Sequence, residues 1–245
     1  MINVISSEFY KIFKSRILYA ISIIFLAMNV ISFATSISLK LRGKMLGTGI
    51  SSYQESYSVD AIFYIILIFV AYLITSEYEN GSIRQMACHG IARWKLVVGQ
   101  YIAISSVITI ILLGFGILNL LLITKLSELG RVDAAAFIQM NVGIVCMFWG
   151  ITGIGTFLSY LLKNIGITII VSILLVASKD FIVNLFALLT KNDVFKTYTL
   201  TNMRNTIINF NSNPDNVVKY SIVLLIIGVV TILASSLLFS KRDIK

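Results

Sequence analysis

Long stretches without Asp, Glu, Lys or Arg recur along this sequence. Residues 96–124 and 134–162 each form an uncharged run of 29 residues, and residues 220–240 form one of 21. About 20 apolar residues in a helix cross the roughly 30 Å hydrocarbon core of a bilayer. Because 58 % of the residues are hydrophobic and only 13 % are charged, a water-soluble fold could not bury the apolar surface. The sequence therefore predicts an integral membrane protein.

We expect an all-α membrane protein with six transmembrane helices. The runs are continuous rather than alternating, which favours helices over the strands of a barrel. The uncharged part of the second run is short, and Lys179 and Asp180 interrupt the fifth. The predicted spans, in a single transmembrane domain covering residues 1–245, are about 17–38, 57–76, 97–124, 135–162, 165–189 and 220–240.

Residues 2–16 precede the first predicted span and have an amphipathic pattern. Ile2, Ile5, Phe9 and Ile12 fall close to one helical face, which predicts an interfacial helix lying along the membrane. The alternative is an ordinary basic flank of the first span. Residues 190–218 contain two apolar patches in a polar segment, which predicts one or two short outer helices between the fifth and sixth spans.

The chain carries a formal charge of +9, and its basic residues lie mainly in short loops at helix ends. Such cations meet anionic lipid headgroups, so we expect a membrane-lipid partner and no nucleic acid. Six spans place both termini on one side. The density of basic residues favours a cytoplasmic location for the termini, whereas Lys40, Arg42 and Lys44 favour the opposite orientation.

The sequence carries no recognisable catalytic machinery. It has no phosphate-binding loop and no zinc-protease motif, and its single histidine is His89. Cys88 and Cys146 show no metal-ligand spacing. We therefore expect a protein that is not an enzyme, with no catalytic residue, no metal site and no cofactor bound by this chain.

The richest polar segment between spans reads SEYENGSIRQMACHGIARWKLVVGQ from Ser76 to Gln100. The second span can end near Gly81, and Ser82 can begin a short helix that Gly90 ends. A helix between two spans lies along the membrane surface, where a partner can move it. A solvated loop with basic flanks is the alternative.

Two groups of residues are candidates for a substrate path. Ionisable residues inside a membrane are costly and often functional, so Lys179 and Asp180 could form a polar rim. The alternative is a structural break where the fifth span meets the outer connection. Four aromatic residues along the second span would suit apolar or amphipathic cargo, although packing in the protein core explains them equally well. They are Phe63, Tyr64, Phe69 and Tyr72.

The segment that begins at Ser76 resembles the permease subunits of type-2 ATP-binding-cassette exporters, in which the corresponding connection reads roughly E-x-G-T-I/L-R, then G-x-S-R, then G-K. Ser82 replaces the usual Thr, and Gln100 stands where Lys is common. EFYKIFKSR at 8–16 and FSKRDIK at 239–245 are also similar to the family's first helix and tail. The matching positions are Glu79, Gly81, Ile83, Arg84, Gly90, Arg93 and Gly99.

The resemblance implies a multi-pass protein of a bacterial plasma membrane with both termini cytoplasmic. It implies a coupling helix at 80–90 that docks on a separate ATPase subunit, which binds ATP and Mg. It also implies a homodimer or heterodimer of permeases, with a path between the second and fifth spans. The coupling residues that it assigns are Glu79, Gly81, Ser82, Arg84, Gly90 and Arg93.

Within this family, the chain has the length of small permeases and is similar to those that export amphipathic peptides in lantibiotic immunity, bacitracin resistance or toxin-peptide secretion. An importer's coupling motif is absent from the sequence, which favours export. Two other functions remain open. An ion-coupled secondary transporter would depend on Asp180, and a non-transporting immunity or sensor protein would bind peptide without moving it.

Overall fold

A computed structural model describes residues 1–43, 46–83, 92–191 and 193–241, and the regular structure of these ranges is entirely helical. Within these described ranges, a short 3₁₀-helix, Asp193–Tyr198, follows the eighth of ten α-helices. The α-helices are α1 (Ile2–Lys14), α2 (Arg16–Leu41), α3 (Gly49–Ser58), α4 (Ala61–Glu79), α5 (Arg93–Leu126), α6 (Ala134–Leu162), α7 (Ile165–Ala177), α8 (Lys179–Thr190), α9 (Leu200–Ile208) and α10 (Pro214–Lys241).

Five of these helices, α2, α4, α5, α6 and α10, are long and apolar enough to cross a membrane. The pair α7 and α8 bends by 55° at its break and supplies a sixth crossing if it acts as one span. With 13 residues at about 1.5 Å each, α7 alone is shorter than a hydrocarbon core. The described residues therefore give five spans, or six with the bent pair.

The helix bundle has two ends, defined here by the residues that they hold. The terminal end holds α1, the start of α2, the end of α4, the start of α5, the turn at 163–164 and the end of α10. The distal end holds α3, the loop 127–133 and α9. There the backbone N–H groups of Gly49 and Ile50 donate to the carbonyls of Glu128 and Leu129.

Helix α6 lies at the centre of the bundle and contacts α10 along most of its length. Two glycines of α6 allow this approach. A Cβ on Gly150 would lie 2.6 Å from the carbonyl oxygen of Leu224, and one on Gly153 would lie 2.8 Å from Cα of Gly228. Small residues that bring backbones together are a common basis of helix association in membranes.

Two predicted spans differ from the helices observed. Residues 57–58, expected at the start of the second span, belong to α3, which ends because Val59 is extended, with φ −79° and ψ 129°. The helix of the second span then runs from Ala61 to Glu79. The predicted span 165–189 is broken at Ser178 into α7 and α8, directly before Lys179 and Asp180.

Candidate coupling site

A polar network joins four helices at the terminal end. Lys11 Nζ on α1 lies 2.6 Å from Glu8 Oε1 on the same helix and 3.0 Å from Glu77 Oε1 on α4. Gln100 Nε2 on α5 donates to Glu77 Oε2 at 2.5 Å, and Tyr160 on α6 donates its hydroxyl to Gln100 Oε1 at 2.5 Å. We call these residues the Glu77 network.

Burial makes the Glu77 network sensitive to the loss of any member. Glu8, Gln100 and Tyr160 are buried, and the Glu77 side chain is only 14 % exposed. Burial acts to lower the pKa of the Lys11 ammonium, but the carboxylates of Glu77 and Glu8 outweigh it and raise that pKa above 10.5. Lys11 therefore stays charged at neutral pH and holds α1 to α4.

Helix α1 crosses α5 where the sequence has a glycine. A Cβ on Gly99 would lie 2.8 Å from Cγ1 of Val4 and 3.9 Å from Cγ1 of Ile5. This close approach places Glu8 one helical turn and Lys11 two helical turns further along α1, beside Glu77 and Gln100. Gly99 thus permits the packing on which the Glu77 network depends.

The end of α4 reaches the start of α7. Glu79 Oε1 accepts a hydrogen bond from the backbone N–H of Ile165 at 3.3 Å, and Asn164 caps the same helix by accepting from Ile167 at 3.1 Å. A carboxylate at a helix N-terminus meets the positive end of the helix dipole. Glu79 therefore ties the last turn of α4 to the first turn of α7.

Helix α4 stops at a glycine in a left-handed conformation. Gly81 has φ +72° and donates its N–H to the carbonyl of Tyr78 at 3.2 Å. Such a φ is common only for glycine, and it ends a helix sharply. The hydroxyl of Ser82 turns back to the carbonyl of Glu77 at 3.3 Å, so the chain leaves α4 in a fixed direction.

Arg93 begins α5 and holds the end of α10. Its Nη1 donates to the carbonyls of Phe239 at 3.2 Å and Ser240 at 3.1 Å, and its guanidinium lies 5.9 Å from the centre of the Phe239 ring. A cation at a helix C-terminus satisfies carbonyls that have no partner within the helix. The Phe239 ring in turn packs edge-on against Tyr160 at 5.3 Å.

A second charged cluster lies at the distal end, and we call it the Asp60 cluster. Asp60 Oδ1 lies 2.5 Å from both Lys179 Nζ and Arg204 Nη1, and both cations also lie over the Phe63 ring. The Asp60 carboxyl is partly buried, which acts to raise its pKa, but hydrogen bonds from the two cations dominate and hold the pKa below 3.8. Asp180 accepts from the backbone N–H of Thr201 at 3.2 Å and from its hydroxyl.

The chain is similar to a known protein family over most of its length. A family model described as ABC-2 family transporter protein matches residues 4–179, which include α1 from its third residue, α2 to α7 and the first residue of α8. The chain belongs to the ABC-2 transporter family. No curated protein matches the chain. The protein is therefore a permease, the membrane translocation component of an ATP-binding-cassette transporter, and its family implies a cassette partner.

Four of the six predicted coupling residues of this ABC-2 permease fall in the described ranges. Glu79 and Gly81 end α4 and Arg93 begins α5, with Ser82 just beyond Gly81. Arg84 and Gly90 lie outside the described residues, as does most of the predicted helix at 80–90. The coupling role of all six stays a prediction. Among the described residues, no group of His, Cys, Asp or Glu side chains could hold a metal ion.

The predicted path residues of the permease separate into buried and exposed positions. Phe63 and Phe69 lie in the core and Tyr64 is partly buried, whereas Tyr72 is exposed. Packing accounts for the two buried rings, and a path role for all four stays a prediction. Lys179 and Asp180 follow the helix break directly, and each has a partner far away in the sequence, Asp60 for Lys179 and Thr201 for Asp180.

Most contacts of the Glu77 network are not predicted by the sequence pattern. Glu8 and Lys11 lie in the predicted interfacial helix at 2–16, Glu77 lies just after the predicted second span, and Gln100 stands where Lys is common in the family. Two signals were present. Glu8 and Lys11 are three residues apart on an amphipathic helix, and Gln100 follows Gly99 at a span whose other residues are nearly all apolar.

Proposed function

We propose that this permease is the membrane subunit of an ATP-driven exporter whose energy comes from a separate ATPase subunit. That ATPase binds ATP and Mg and docks on residues 80–90. The observation that carries the proposal is the anchoring of both flanks of this segment. Glu77, Glu79 and Arg93 connect it to α1, α5, α7 and α10, in a chain of the ABC-2 family.

The contacts of its flanks indicate how motion of the segment 80–90 would spread through the bundle. A shift of its first flank moves the end of α4, and Glu77 and Glu79 carry that motion to α1 and to the start of α7. A shift of its second flank moves the start of α5, and Arg93 carries it to α10. Nucleotide-driven closure of the ATPase would thus move most of the bundle together and open the path outward.

We propose that both termini are cytoplasmic and that the membrane is a bacterial plasma membrane. The terminal end then faces the ATPase, and its basic residues follow the positive-inside rule. Lys40, which argues for the opposite orientation, donates from Nζ to the carbonyl of Leu126 at 2.7 Å. A cation that caps the end of α5 has a structural reason to lie at the distal end.

The proposed cargo is an amphipathic peptide or a similar hydrophobic substrate, as in lantibiotic immunity, bacitracin resistance or toxin-peptide export. Two permeases would form the path between their second and fifth spans. Helices α7 and α8 expose apolar side chains, among them Ile170, Leu174, Phe181 and Phe186. In this arrangement a second permease or lipid covers those side chains.

The test uses the permease co-expressed with its ATPase and purified in nanodiscs. We expect Glu79→Ala, Arg84→Ala and Arg93→Ala each to weaken complex formation or to lower cargo-stimulated ATPase activity several-fold. The matched control is Arg42→Ala, which removes an exposed arginine at the distal end. Unchanged assembly and unchanged coupled hydrolysis in all three variants would contradict the proposal.

A further inference from the structure

Helix α8 carries a stripe of four exposed residues, which we call the Asn184 stripe. Phe181, Asn184, Leu185 and Leu188 have the i, i+3, i+4 and i+7 spacing that places side chains on one side of a helix. All four are exposed, Phe181 by 68 % and Leu188 by 69 %. The stripe is therefore apolar except near its centre, where Asn184 lies.

The 3₁₀-helix covers a different side of α8. Phe186 packs edge-on against Phe195 of the 3₁₀-helix, with the ring centres 5.4 Å apart. With 3.6 residues per turn, Phe186 lies about 160° around the helix from Asn184. Within the described part of the chain, the Asn184 stripe is thus left open to whatever lies beside the protein.

Asn184 lies at the depth of the hydrocarbon. Helix α7 begins at the terminal end, where the N–H of Ile165 donates to Glu79. A straight helix from Ile165 to Asn184 would rise only about 29 Å, at about 1.5 Å per residue, and the 55° bend at the break shortens that rise. Asn184 therefore stays within a hydrocarbon core about 30 Å thick.

An unpartnered amide is unfavourable at this depth. The Asn184 side chain makes no hydrogen bond to the described residues. Lipid tails offer neither donors nor acceptors, so an amide that faces them loses the hydrogen bonds that water supplies. An asparagine amide has donors and an acceptor, so the same side chain on another helix is a complete partner. Asparagines commonly bond in this way between membrane helices.

We propose that the Asn184 stripe packs against the same stripe of a second copy of this chain, with the two Asn184 side chains hydrogen-bonded across a two-fold axis. A two-fold contact brings the same patch of both subunits together, so a stripe with one central amide is complementary to itself. Phe181 and Leu188 flank the pair and exclude lipid. The assignment of this contact to a transport dimer rests on the proposed export function.

The charges of α8 are compatible with this contact. Lys179 is bound to Asp60, and Asp180 accepts from Thr201, so neither brings an unpaired charge to the axis. Lipid is a poorer occupant of the stripe, because hydrocarbon tails would cover the apolar side chains and leave the central amide without a partner.

Oxidative cross-linking locates the contact. In a Cys88→Ser, Cys146→Ser background, copper-phenanthroline should link Asn184→Cys into a covalent dimer in phosphatidylcholine vesicles, because the same residue of both copies meets at the axis. The matched control is Ile182→Cys, which is 56 % exposed but lies about 160° around α8 from Asn184. It should link at least about tenfold more slowly, since a disulfide needs Cβ atoms about 4 Å apart. Equal rates, or no link at Asn184→Cys, would overturn the proposal.

The hydrogen bond is tested by the dissociation constant of the dimer, measured by energy transfer between labelled copies diluted in the same vesicles. Asn184→Leu should raise this constant about three- to tenfold, as expected for a hydrogen bond between membrane helices. Asn184→Gln keeps an amide and should lose less. Asn211→Leu, at an exposed asparagine of the distal loop, should match the wild type.

Leucine is favourable in hydrocarbon, so Asn184→Leu should fold as the wild type does. If lipid covered the stripe, this variant would dimerise as well as the wild type or better, which contradicts the proposal. A wild-type chain that stays monomeric at every dilution would also overturn it. No ATPase is present in these measurements, so they can fail while the ATPase-coupling test succeeds, and the reverse also holds.

Discussion

Lys11 and Glu77 form the contact that holds the N-terminal helix to the bundle. Lys11→Met and Glu77→Gln should each lower the free energy of unfolding, but the double variant should lose less than their sum. The interaction term should be about 1 kcal/mol, since the Lys11 side chain is 35 % exposed and partly screened. Titration with a denaturing detergent in mixed micelles measures all four proteins.

The pKa of Lys11 determines how the interaction energy between Lys11 and Glu77 depends on pH. A raised lysine pKa contributes stability that is complete below its unfolded value, 10.5, and is lost as the pH rises through the higher folded value. The interaction term should therefore be the same at about pH 8 and about pH 10. A term of zero throughout this window would show that the Lys11–Glu77 contact does not hold α1 in place.

Asp60 neutralises two buried cations, so its charge should matter more than that of an ordinary surface carboxylate. Asp60→Asn should lower the free energy of unfolding by about 1–2 kcal/mol at neutral pH, a modest figure because the Asp60 side chain is 48 % exposed. Its folded pKa is depressed, so the stabilisation is present above pH 3.8 and is lost as the pH falls through the lower folded value.

The measurement compares wild type with Asp60→Asn between neutral pH and about pH 3. The difference should be constant near neutrality and should shrink in acid. Asp215→Asn, at an exposed position of the same end, should show little difference at any pH. A difference for Asp60→Asn that persists in acid would assign the effect to the shape of the side chain rather than to its charge.

Single residues of the site were predictable only where the family motif marks them. Glu79, Gly81 and Arg93 stand out in a linear pattern, and each has a distinct structural contact. Glu77 has no such mark, because its partners Lys11 and Gln100 are 66 and 23 residues away in the sequence. Pairings across helices depend on packing geometry, which the spacing of residues along one helix does not specify.

At the scale of elements, the contact of α6 with α10 depends on glycines. Gly150→Ala should lower the free energy of unfolding by about 1–3 kcal/mol, because its Cβ would meet the backbone carbonyl of Leu224 and force the helices apart. Gly114→Ala is the matched control, since a Cβ there meets nothing within 4 Å. It should be neutral or slightly stabilising.

Thermal unfolding in detergent compares these two glycine variants. A loss of this size corresponds to a shift of several degrees, at about 2–4 °C per kcal/mol for a chain of this length. Equal midpoints for Gly150→Ala and Gly114→Ala would show that α6 and α10 do not need the close approach. The two substitutions remove the same amount of backbone freedom, so a difference between them reports on packing.

Uncharged runs predicted the long helices but not where the chain breaks. Helix α3 was not predicted because its segment is polar, although Thr48 caps it by accepting from the N–H of Ser51 at 3.2 Å. The break at Ser178 was visible only through Lys179 and Asp180. Hydropathy reports the length of an apolar stretch, whereas a bend depends on partners such as Asp60 and Thr201, which lie elsewhere in the chain.

For the whole molecule, the bent pair decides the topology. Helix α7 begins beside Glu79 at the terminal end, and α8 begins beside Asp60 at the distal end. Farther along, Gln54 of α3 donates to the carbonyl of Ile208 at 2.6 Å, so α9 is also distal. The pair therefore carries the chain from one end of the bundle to the other, which favours six crossings over five and puts the two termini on the same side.

Thiol labelling in intact cells tests this topology. In a Cys88→Ser, Cys146→Ser background, Glu128→Cys and Ser212→Cys should react with a membrane-impermeant maleimide added outside, whereas Lys241→Cys should react only after permeabilisation. If α7 and α8 were re-entrant, residue 212 would lie inside and residue 241 outside, so labelling of these two would exchange while Glu128→Cys stayed unchanged. Protection of Glu128→Cys with exposure of Lys241→Cys would instead invert the orientation and place the Glu77 network away from any cytoplasmic ATPase.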